Sequence, residues 1–225
     1  MARRPTPALI AQRFHLAIWT VEIPDSPAPA DFYIRTYQQY VAHFARVTVA
    51  RAWDEEQVVD GLHKVYTWMK RATKFEVDRT IARELAAELN KTELDVARLT
   101  YLASRVVNNS MVGGSKFLHF YAPTHFPITD SWLQLLSGKP HSSAYALDFY
   151  RDYLDGVRLV DAADANRALE WATAFFGYEV SEVRAIEAVA FYLLKGGWHH
   201  DGSAPQSTRG NGVCHCHHSR DLSGV

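Results

Sequence analysis

Residues 112–132 read Val-Gly-Gly-Ser-Lys-Phe-Leu-His-Phe-Tyr-Ala-Pro-Thr-His-Phe-Pro-Ile-Thr-Asp-Ser-Trp. The two glycines interrupt the pattern that precedes them, and the apolar run after them predicts a helix from about Ser115 to Tyr121. Pro123 and Pro127 then impose a turn. Asp130 stands where a helix cap belongs, so a further helix is expected over 131–137. A mostly apolar segment therefore places one cation, Lys116, and one carboxylate, Asp130, at the starts of consecutive helices.

Working outward, the same helical reading extends along the body of the chain. Asp31 can cap a helix carrying Tyr33, Ile34, Tyr37, Tyr40, Val41 and Phe44, and Asp54 opens one through Val58, Leu62, Val65 and Met69. Apolar spacing continues over 75–89. Thr92 with Asp95 forms a shortened capping signal for a helix through Leu99, Leu102 and Val106. Asn108, Asn109, Gly113 and Gly114 are expected to end that helix. Beyond the central segment, Ser142 or Ser143, then Asp161 or Asp164, then Ser181 can each open a helix. No strand alternation and no internal repeat is found, so the fold class read here is all-α. Residues 1–29, with Pro24, Pro27 and Pro29, are expected to form an irregular arm, 30–195 the helical domain, and 196–225 a flexible tail rich in Gly, Ser and His.

Composition narrows the function classes. The chain of 225 residues is 48% hydrophobic and 22% charged, as a globular protein is. It has no run near the ~18 apolar residues that would suggest a membrane span, and its start lacks the pattern of a secretion signal. Its two cysteines, Cys214 and Cys216, lie one residue apart and cannot build a disulfide framework. A cytoplasmic monomer is the resulting expectation. The net charge of −1 gives no global attraction to a polyanion, although a local basic face can coexist with it. Lys70, Arg71, Lys74, Arg79 and Arg83 form such a cluster, read first as a solvated helix face and second as a nucleic-acid contact. In the tail, Cys214, Cys216 and His217 have donor atoms suited to zinc, but their spacing is unlike a finger and no bound metal is expected.

The chemistry is concentrated in the opening stretch. A helix start preceded by glycines offers backbone N–H groups to a phosphate. A lysine in the first turn of a helix meets the positive end of the dipole, which lowers its pKa and favours the nucleophilic amine. A carboxylate at the next helix start is held ionised and can face a developing cation.

On these residues the segment resembles the catalytic part of the helix-hairpin-helix DNA glycosylases. Val112-Gly113-Gly114-Ser115-Lys116 is similar to the hairpin that carries the lysine in the 8-oxoguanine-excising branch. His125-Phe126-Pro127-Ile128-Thr129-Asp130 is similar to the aspartate turn of the adenine-excising branch. The likeness is confined to about residues 110–135, and the lack of a four-cysteine cluster excludes the iron–sulfur branch. The resemblance implies helices in one or two subdomains around a central cleft. It implies double-stranded DNA as partner, with the target nucleotide flipped, and no cofactor. It further implies Lys116 as the amine nucleophile and Asp130 as the essential carboxylate. DNA contacts would come from Val112, Gly113, Gly114, Ser115, Lys70, Arg71 and Lys74. A base pocket would be built from Phe120, Tyr121, Trp132 and His119, with Trp68 a further aromatic candidate. The substrate would be a damaged base or a modified base of foreign DNA such as phage.

Two other classes compete. One is a non-catalytic helical DNA-binding or regulatory protein, in which Lys116 is an ordinary helix residue and Asp130 an ordinary cap. The other is a helical partner-binding protein whose tail folds on its partner.

Overall fold

Side-chain caps set most of the helix starts, as the sequence suggests. In the computed structural model, which describes residues 6–28, 31–70, 76–137 and 146–198, nine α-helices and no strand occur among the described residues. They are α1 (Pro7–Thr20), α2 (Phe32–Val49), α3 (Glu55–Trp68), α4 (Arg79–Leu89), α5 (Val96–Arg105), α6 (Met111–Tyr121), α7 (Leu147–Arg158), α8 (Ala162–Phe176) and α9 (Glu182–Lys195). Asp31, Asp54, Asp95 and Asp161 each accept a backbone N–H from the first turn of the helix they precede. Ser181 does the same for α9 through Arg184 N at 3.2 Å, without the acidic partner of a full capping box.

Three sequence expectations change. The first concerns the N-terminal arm, of which residues 7–20 are helical. Thr6 caps α1 and Pro7 occupies its first position, where a missing N–H costs nothing. Ile10, Phe14, Ala17 and Ile18 are all fully buried, and α1 lies chiefly against α7 and α9. At the α1–α7 crossing a Cβ on Gly156 would come within 2.6 Å of the Ile10 side chain. Second, the glycines of the central stretch do not precede a helix. They lie inside α6, which begins at Met111. Third, the segment after Asp130 is a 3-10 turn, Leu133–Ser137, and not an α-helix. The expected helix start at Ser142 or Ser143, together with Arg71, Lys74 and the His/Cys tail, lies outside the described residues.

The helices fall into two sets that share one apolar core. In the first, α6 packs against α2, α3 and α5, and α4 joins α3 and α5. In the second, α9 packs against α8, α1 and α7. Phe44 of α2 meets Phe117 edge-on with centroids 5.2 Å apart and Phe120 at 5.6 Å, which anchors α6 in the first set. Among the described residues no helix is long and apolar enough to cross a membrane.

Candidate active-site cavity

After α6 the chain runs through a buried segment without regular structure, Phe126–Thr129. Such a segment has no helical or sheet partner for its backbone, yet buried N–H and C=O groups must be satisfied. Side chains from three helices do this. From α6, His119 Nδ1–H donates to Phe126 O at 2.7 Å, Ser115 Oγ accepts Thr129 N at 3.1 Å, and Lys116 Nζ donates to Thr129 O at 2.9 Å. From α7, the hydroxyls of Tyr150 and Tyr153 donate to Pro127 O and Ile128 O at 2.9 and 3.0 Å. From α9, the Glu187 carboxylate accepts the N–H of Ile128.

This scaffold delivers Asp130 to the wall of a cavity of about 810 Å³. One oxygen of Asp130, Oδ1, accepts the N–H groups of Trp132 and Leu133 at 2.8 and 3.1 Å. Lys116 lines the same cavity and is only 7% exposed. Aromatic walls come from Tyr33, Tyr66, Trp68 and Trp132. Among the described residues the cations Lys70, Lys116, Arg184 and Lys195 line it against the carboxylates Asp130 and Glu187, so a chain of net charge −1 gathers a cationic excess here. The positive end of α6 adds to it. Ser110, Val112 and Gly113 lie on the wall, and Ser110 makes no side-chain cap.

The candidates named from sequence separate into three groups. Lys116, Asp130, Val112, Gly113, Lys70, Trp132 and Trp68 all line the cavity. Gly114 and Ser115 are buried within the fold. A Cβ on Gly114 would stand 2.4 Å from the Ala103 carbonyl oxygen, so this glycine allows α5 and α6 to cross closely. Its N–H already donates to Ser110 O at 3.2 Å, which corrects its expected part as a phosphate-facing hairpin residue. Lys116 is correspondingly the sixth residue of α6 and not part of its first turn, which removes the dipole argument for a depressed pKa.

The third group is the base pocket, where Phe120, Tyr121 and His119 do not line the cavity. Phe120 sits in the core against Tyr40, Phe44 and Trp68, and the Tyr121 hydroxyl donates to Leu89 O at 3.0 Å. His119 is fully buried. Its Nδ1 carries the proton because it faces a carbonyl, so its Nε2 accepts from the Tyr37 hydroxyl at 2.7 Å. Burial, with Arg184 and Lys116 nearby, lowers its pKa to about 3, and the ring is neutral. Of the basic cluster, Arg79 and Arg83 are engaged by Glu55 and Glu56 of α3. That fits the solvated-face reading.

Sequence reading missed Arg184 and Glu187. They form an ion pair within α9 on the cavity wall, with Glu187 wholly buried. The Arg184 guanidinium also lies over the rings of Tyr37 and Phe176, 5.2 and 5.6 Å from their centroids. The available signal was the i, i+3 pairing of opposite charges within a mostly apolar helix. Among the described residues no three His, Cys, Asp or Glu side chains gather to hold a metal. The chain matches no protein-family model, no curated protein and no solved structure.

Proposed function

We propose that the protein is a DNA glycosylase that draws a damaged or modified base out of the duplex and cleaves its N-glycosidic bond. The observation that carries this reading is that Lys116 and Asp130 both line one cavity that has aromatic sides and an excess of cations. The volume of about 810 Å³ exceeds the space a nucleoside needs. Stacking surfaces and cations are the two elements by which proteins hold an unpaired nucleotide.

Cleavage breaks the bond between C1′ and the base nitrogen, and the base leaves with the electron pair. The sugar becomes cationic, and Asp130, anchored by two backbone N–H groups, faces that charge. In the hydrolytic route water adds to C1′ and Asp130 takes its proton. In the lyase route the Lys116 amine adds to C1′, which requires it to leave the Thr129 carbonyl and lose a proton.

The test is a panel of duplexes with modified bases, scored for abasic sites and for borohydride-trapped adducts. Asp130→Asn keeps an oxygen for the cap, so base release should fall about 100-fold or more while DNA binding and thermal midpoint stay close to wild type. An adduct that vanishes in Lys116→Ala assigns the lyase route. Base release with no adduct assigns water. No abasic sites from any duplex would overturn the reading.

A second reading has its own observation. Lys116 and Asp130 each perform a structural task, one holding Thr129 O and the other capping the turn. A non-catalytic DNA-binding or regulatory protein would use them for that alone: no duplex would lose a base, and Asp130→Ala, which removes the cap, would lower stability by about 1 kcal/mol.

A further inference from the structure

Asp130 owes its place to the buried segment before it, and one of the ties on that segment is costly to build. Glu187 is 0% exposed and Arg184 7%. Burying two charges carries a large desolvation cost that an ion pair only partly offsets, and apolar residues in the same space are often as stable or more so. Here the carboxylate has a second task. It accepts the N–H of Ile128, two residues before Asp130. Arg184 pairs with it and also stands on the cavity wall. Thr129, between Ile128 and Asp130, is tied at its N–H by Ser115 and at its carbonyl by Lys116.

We propose that Glu187, oriented by Arg184, is a positioning residue that fixes Asp130 at the cavity wall. The inference rests on the glycosylase reading for its catalytic consequence but not for its geometric part. An uncharged side chain at 187, no longer held by Arg184, would let the Ile128 N–H drift, and Asp130 would lose its alignment without being touched. Displacements of about 1 Å at a reacting group are enough to cost about 100-fold in rate.

The experiment uses the full chain. Glu187→Gln preserves shape and one acceptor oxygen but removes the charge that pairs with Arg184. Amide hydrogen exchange at Ile128 and Thr129 should quicken about tenfold or more, while that of α4, remote from the pair, stays unchanged. On a duplex that the wild type processes, kcat should fall about tenfold or more with KM nearly unchanged, and Glu187→Asp should recover part of the loss. If Glu187→Gln does not fold, the double variant Arg184→Met/Glu187→Met removes both charges together and takes its place in both assays. Unchanged exchange at Ile128 overturns the proposal, and so does quickened exchange with unchanged kcat. If the wild type releases no base from any duplex, the glycosylase reading fails by itself, and the exchange measurement still decides whether Glu187 fixes the segment.

Discussion

His119 shows how much one residue can depend on partners distant in sequence. Its ring is held between Tyr37, 82 positions away, and Phe126, and burial keeps it neutral. Its pKa of about 3 lies below the ordinary 6.5. The unfolded chain therefore binds a proton that the native state refuses between those values. The stability that this residue contributes is full above about pH 6.5 and is lost as pH falls toward 3, at up to ~1.4 kcal/mol per pH unit. In His119→Gln that contribution is gone, so the gap in unfolding free energy between wild type and variant should be constant above about pH 6.5 and narrow from there to pH 4 in urea titrations. The resemblance placed His119 in a base pocket. It could not show Tyr37 closing the other side of the ring. Asp130 was legible because a cap is a local feature, fixed by the residues that follow within one turn.

At the scale of elements, the two glycines of α6 differ in what they accommodate. A Cβ on Gly113 would meet the Tyr66 side chain, with the hydroxyl oxygen at 2.8 Å, and a side chain can swing aside. A Cβ on Gly114 would meet the Ala103 backbone carbonyl at 2.4 Å, and a packed helix cannot. Gly114→Ala should therefore lower the unfolding free energy by about 2–3 kcal/mol, and Gly113→Ala by clearly less. Thermal melts of the two variants side by side would check the order. The sequence placed these glycines as breakers because glycine disfavours helix interiors, and close helix crossing is the competing cause that prevailed. The start of α1 was legible in principle. Thr6-Pro7 is a cap followed by a first-turn proline, and Ile10, Phe14, Ala17 and Ile18 follow at helical spacing. The prolines at 24, 27 and 29 drew the reading toward an irregular arm over the whole region.

At the scale of the molecule, α1 is part of the core. Phe14 is fully buried, with its ring 5.8 Å from that of Tyr153, and Tyr153 in turn holds Ile128 O. Phe14→Ala should cost about 3–5 kcal/mol and loosen the segment before Asp130, read as a lower urea midpoint and faster exchange at Thr129. The all-α class was legible from caps and apolar spacing, because both act within a few residues. The cavity was not, because its wall joins Tyr33, Lys116, Asp130 and Glu187, residues brought together by the meeting of two helix sets.

One small feature bears on how that cavity could admit a ligand. The linker before α4 and the linker before α6 are cross-stitched by the bridge between Val77 and Val107, by Asp78 N donating to Val106 O at 2.9 Å, and by Glu76 N donating to the Asn108 side chain at 3.4 Å. Lys70 and Asn108, both on the cavity wall, are also both in the left-handed backbone region, at φ 55 and 52. A hinge at Asn108 would pull on the suture at Val107, so displacement of the α6 linker alone is resisted. Outward displacement of residues 106–108 therefore carries 76–78 with it, as a paired jaw.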